Sequence, residues 1–99
     1  MKSKSDIEMD FSRAVSQSQE LETMAKDLEE IATERLSEVL RLLSRSWDGD
    51  NYELFADGVR RLVDEVLRTA DDLNKVSKNI MSTANIVYTA EKAALQIGL

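Results

Sequence analysis

The chain has one cluster of turn-forming residues, and this cluster lies at the midpoint of its 99 residues: Ser46-Trp47-Asp48-Gly49-Asp50-Asn51. Gly49 is one of three glycines, and the sequence contains no proline that would break a helix on either side. Apolar residues recur on both sides at spacings of three and four, which is the helical period. The sequence therefore predicts an all-α fold, a single domain over 1–99 that forms an antiparallel helix-turn-helix hairpin. Helix 1 is expected over about 5–45, the turn at about 46–50 and helix 2 over about 51–95.

Capping residues predict where the two helices begin. Ser5 is followed three residues later by a glutamate, which is the spacing of a capping box at the start of helix 1. Helix 2 has two possible caps. It begins near Asp50, or it is capped by Asp48, which would set Trp47 against Tyr52 as an aromatic staple.

The apolar face of each helix is wider than one partner helix can cover. Apolar residues lie beside the central stripe in both helices: Met24, Ile31, Leu40 and Leu42 in helix 1, and Val63, Leu67, Met81 and Leu95 in helix 2. Each apolar arc therefore spans on the order of 180°, and a second hairpin is expected to complete an elongated four-helix bundle. The expected dimer or bundle interface comprises Leu21, Leu28, Leu36, Val39, Leu43, Phe55, Val59, Leu62, Val66, Leu73 and Ile80.

The composition argues against catalysis and against nucleic-acid or membrane binding. Thirteen Lys and Arg against nineteen Asp and Glu give a net charge of −6, which repels phosphate backbones and anionic lipid. Without cysteine or histidine there is no thiolate nucleophile, no imidazole base and no zinc site of the usual kind. We therefore expect no enzyme activity, no metal and no cofactor. Asp10 and Arg35 fall within the apolar arc of helix 1 and are expected to pair or to reach solvent.

The amino terminus predicts no cleavable signal peptide. Lys2 and Lys4 are followed by Asp6, Glu8 and Asp10, where a signal peptide has its apolar region. No run of apolar residues is long enough to cross a bilayer. If the protein leaves the cell, we expect it to use a route that reads no cleaved signal.

The midpoint Trp47-Asp48-Gly49, between two heptad-patterned helices in a chain of this length, resembles the WXG family of small type VII secretion substrates, the early secreted antigen proteins. Members of that family also carry an export motif near the carboxyl end, a tyrosine or other hydrophobic residue followed four positions later by an acid. Val87 and Glu91 have that spacing, and Tyr88 lies beside them, three residues before the acid. The resemblance implies that Trp47 and Gly49 form a turn recognition motif and that Val87, Tyr88 and Glu91 form the export motif.

The same resemblance implies a non-enzymatic protein that dimerises and is exported from the cytoplasm by the type VII secretion ATPase. The turn of one protomer and the export motif of the other would then form one composite recognition surface. The expected partner is a second copy, or a helical partner such as a related small protein or the amino-terminal domain of a larger secreted toxin. In that second case the chain would be a targeting chaperone. A cytosolic coiled-coil adaptor is a further alternative.

Overall fold

A computed structural model describes residues 2–98 of the chain, and these residues form helices without any strand. Helix α1 runs over Lys4–Glu30 and continues through a π-helical segment, Ile31–Arg35, into α2, Leu36–Leu43. Helix α3 runs over Gly49–Gln96. The predicted all-α helical hairpin is confirmed.

The start of α1 differs from the prediction. The Ser3 hydroxyl accepts a hydrogen bond from the Asp6 amide at 3.1 Å, and the Asp6 carboxylate accepts one from the Ser3 amide at 3.4 Å. This is a capping box built on Ser3, so the prediction of Ser5 as the cap is wrong. Ser3 is the cap because Asp6, three residues later, completes the reciprocal pair of hydrogen bonds, whereas the Glu8 carboxylate accepts a hydrogen bond from Tyr88.

At the turn, Asp48 is the cap of α3. Its carboxylate accepts hydrogen bonds from the backbone and side-chain nitrogens of Asn51 at 3.1 and 3.2 Å. Trp47 packs edge-to-face against Phe55, with ring centroids 5.1 Å apart, one turn further along α3 than Tyr52. The two alternatives for the start of helix 2 are therefore decided in favour of Asp48, but the expected Trp47–Tyr52 staple is wrong, because the aromatic partner of Trp47 is Phe55. On the other side of the turn, the Trp47 amide donates to the Leu43 carbonyl at 3.1 Å, which closes the end of α2.

The described residues divide into two compact units. Unit 1 comprises 2–23 and 74–98, and unit 2 is Met24–Leu73. In unit 2, the buried side chains are small: Ala25, Ala32, Ala56, Val59 and Ala70. Small residues at these positions let helix backbones approach closely.

In unit 1 the two helical segments are antiparallel and meet at a pair of buried serines. The Ser18 and Ser77 hydroxyl oxygens lie 2.6 Å apart, and each is also within hydrogen-bond distance of the backbone carbonyl of the other residue, at 3.2 and 3.0 Å. A side chain that reaches the opposite backbone requires close helix approach, so this contact fixes both the separation and the register of unit 1.

Candidate functional site

Unit 1 contains an open apolar groove between α1 and α3, with a volume of about 460 Å³. From α3 it is lined by a stripe with helical spacing: Val76, Ile80, Thr83 and Val87. From α1 the facing side chains are Ile7, Phe11 and Ala14. Ile7 is buried, whereas Val76 and Val87 are 47% and 45% exposed, so the side chains of α3 form the open wall.

The three residues predicted to form the export motif lie at the same end of this groove. Val87 is half exposed on the wall. The Tyr88 ring stacks on Phe11 with centroids 4.5 Å apart, and its hydroxyl donates to Glu8 Oε1 at 2.8 Å. Glu91 also lines the groove, and the structure therefore brings the three residues together.

A lysine from the start of the chain holds two carboxylates at this end. Lys2 Nζ lies 2.9 Å from Asp10 Oδ2 and 3.0 Å from Glu91 Oε1. The hydrogen bonds to Asp10 and then to Glu91 raise the pKa of Lys2, and the same contact lowers the pKa of the Asp10 carboxyl. The Lys2 ammonium thus satisfies one carboxylate from each wall of the groove.

A second electrostatic contact, next to the first, is centred on Glu8. Its Oε1 accepts from the Tyr88 hydroxyl and lies 3.0 Å from Lys92 Nζ. The hydrogen bond from Tyr88 and then that from Lys92 lower the pKa of the Glu8 carboxyl. Contacts from Lys2 and Glu8 to α3 were not part of the sequence prediction, and no local spacing in the sequence indicates them.

This contact predicts a specific loss of stability in acid. Because the pKa of Glu8 in the folded chain is below its ordinary value of 4.5, the ionised carboxylate stabilises the fold above that value, and this stabilisation is lost as the pH falls through the folded pKa. In urea titrations between about pH 5 and pH 3 we expect the free energy of unfolding to fall more steeply for the wild type than for Glu8→Gln. Tyr88→Phe and Lys92→Gln should each flatten the profile, because both side chains lower the pKa of Glu8. Equal slopes for wild type and Glu8→Gln would contradict the assignment.

The turn in unit 2 presents a separate apolar patch. Trp47 is 43% exposed although it packs on Phe55, and Leu54 is 74% exposed beside them. Gly49 is the first residue of α3, and a Cβ built there would meet nothing within 4 Å. Packing within the chain therefore gives no steric reason for glycine at this position.

The residues predicted to form the dimer or bundle interface fall into two groups. Most are buried or half-buried within the two units: Leu21, Leu28, Leu36, Leu43, Val59, Val66, Leu73 and Ile80. The other three are exposed: Val39, Phe55 and Leu62. A further partner can therefore meet the second group directly, whereas the first group already contributes to the packing of the chain.

The part of the chain that the structure describes contains neither a candidate metal site nor a helix that could span a membrane. Over residues 2–98 no cluster of three or more acidic side chains is arranged to hold a metal ion. Within the same residues no helix is long and apolar enough to cross a membrane. The chain matches no family model, no curated protein and no solved structure. The candidate binding surfaces are therefore the groove in unit 1 and the apolar patch at the turn.

Proposed function

We propose that the chain is a non-enzymatic helical binding protein of the type VII secretion pathway, exported by that pathway and paired with a second helical hairpin. The observation that carries this proposal is the open apolar groove, whose half-exposed valines lie beside Tyr88 and Glu91. Contiguous exposed apolar surface rimmed by polar groups is typical of protein-binding sites. A second hairpin seated there would complete a four-helix bundle.

The turn supports the same proposal. A Cβ built at Gly49 would meet nothing within 4 Å, so packing within the chain does not require glycine at this position. An exposed tryptophan two residues before a glycine leaves room for another protein to approach the backbone closely. Trp47 and Gly49 are therefore proposed to be read by the secretion machinery, as their resemblance to the WXG turn implies.

Point variants test the recognition motif. We expect Trp47→Ala and Glu91→Ala to reduce export from cells with a type VII system by about tenfold or more, because aromatic and charged anchors dominate such interfaces. Glu65→Ala, which removes an exposed acid elsewhere on α3, is the matched control and should be exported normally. Circular dichroism must show that all three variants are folded. Normal export of both folded motif variants would reject the proposal.

A second candidate function is that of a targeting chaperone for a larger secreted toxin. It is favoured by the contacts of Tyr88 and Glu91, which are engaged by Glu8 and Lys2 of the same chain, so that Val87 is the most accessible member of the motif. A partner would then supply the rest of a composite signal. Sedimentation separates the two functions, because a stable homodimer favours self-export and a chain that is stable only with a larger partner favours the chaperone. Protein retained in the cytoplasm of secreting cells would support the adaptor alternative.

A further inference from the structure

The charged side chains that line the groove in unit 1 are all negative. Among the described residues that line it, the only charged side chains are acids, Asp10 and Glu91, and the chain as a whole carries a net charge of −6. Both acids are contacted by the ammonium of Lys2, which does not itself line the groove. The apolar site thus ends at a position that accommodates one cation between two carboxylates.

We propose that the groove binds an amphipathic helix of a different chain, and that a Lys or Arg beside the apolar stripe of that helix replaces Lys2 between Asp10 and Glu91. This inference rests on the proposed function and names the class of its partner. Lys2 acts in it as an internal competitor that occupies the cation position until the partner binds.

The dimensions of the groove fit a helix of about three turns. Val87 lies eleven residues after Val76, which corresponds to roughly 16 Å of helix at about 1.5 Å per residue. The members of this stripe recur at spacings of four, three and four, so a helix laid between α1 and α3 meets one of them on each of its turns. Recognition of this kind reads anchors at i, i+4, i+7 and i+11 of the bound helix.

Charge favours a basic partner over a second copy. Opposite charges speed association and fix the register of an interface, whereas like charges disfavour it. A second copy would bring its own excess of acids to a site whose charged lining is already acidic. Lys2 is also easily displaced, because its side chain is 49% exposed and ion pairs at such positions are weak.

Synthetic helical peptides test the proposal in vitro. The probes are labelled peptides of about fourteen residues, with leucines at the i, i+4, i+7 and i+11 positions and either Arg, Gln or Glu next to the last leucine. We expect the Arg peptide to bind the wild type about fivefold more tightly than the Gln peptide and the Glu peptide to bind most weakly. Lys2→Ala should strengthen binding of the Arg peptide about fivefold, and Asp10→Asn with Glu91→Gln should remove the preference for Arg.

Lys4→Ala is the matched control, since it removes a positive charge at the start of α1 without touching either carboxylate of the groove, and it should leave the Arg preference unchanged. Equal affinities of the three peptides, the absence of binding, or a homodimer whose groove excludes all of them would each overturn the inference. The export experiment is independent of these titrations. If the peptides fail while export still depends on Trp47, only the basic-helix inference is rejected.

Discussion

Replacing Ser77 by leucine is expected to lower the free energy of unfolding by about 2–4 kcal/mol. Ser77 is fully buried, and its hydroxyl donates to the Ser18 backbone carbonyl at 3.0 Å. A larger side chain at that distance must push the two helical segments of unit 1 apart. The Ser18 hydroxyl would also lose its closest partner in a buried position. Urea denaturation followed by circular dichroism, at a fixed protein concentration, measures the change.

Two variants make this measurement specific. Ser82→Leu introduces the same side chain at an exposed position of α3 and is expected to change stability by no more than about 0.5 kcal/mol. Ser77→Ala removes the hydroxyl without adding volume and should cost about 1 kcal/mol. If Ser77→Leu were as stable as Ser82→Leu, the close approach of the two segments in unit 1 would be wrong.

Replacing Val76 by aspartate is expected to weaken binding to the groove by about tenfold or more while leaving the hairpin folded. Val76 is half exposed, so its side chain contributes little to the packing of unit 1, yet it belongs to the apolar wall of the groove. A carboxylate there would have to be desolvated against an apolar partner, in a site that already contains two acids. Titration with the leucine-bearing peptides, or sedimentation with the native partner, measures the loss.

The Val76→Asp variant tests binding to the groove without changing the export motif, because Val76 lies eleven residues before Val87. Ser82→Asp is the control, because it adds the same charge to an exposed position outside the groove lining. We expect it to bind peptides as the wild type does. Wild-type affinity in a folded Val76→Asp protein would show that the groove is not the docking surface.

The helices and the turn could be predicted because their signals are local. A helical period, an absence of proline and a cluster of turn formers act within a few residues. The buried face of α3 was harder to predict, because an apolar arc of about 180° contains more than one row of side chains that could face the interior. The row that contains Ala70 and Ser77 is buried, and the row that contains Leu62 and Val76 is exposed. Small side chains occupy the interior because they allow the helix backbones to approach most closely. The hydrophobicity of the side chains alone does not predict this preference.

The candidate site could be predicted only in part. The spacing of Val87 and Glu91 singled out the region that the structure places at the end of the groove. Lys2 could not be found in this way, because its contact with Glu91 joins residues 89 positions apart in the chain. Such a contact depends on the register of two antiparallel segments, and the paired serines that set this register look like ordinary polar positions in the sequence.

The π-helical segment Ile31–Arg35 corrects the phase of the apolar stripe in the first half of the hairpin. Continued with regular heptad spacing, the stripe that contains Ala25, Leu28 and Ala32 would next reach Arg35. A π turn takes up one additional residue, and beyond it the half-buried position is Leu36 while Arg35 is exposed. The additional residue in the π turn therefore shifts the helical phase by one position. As a result the charged side chain of Arg35 lies outside the core, and the side chain of Leu36 continues the buried stripe.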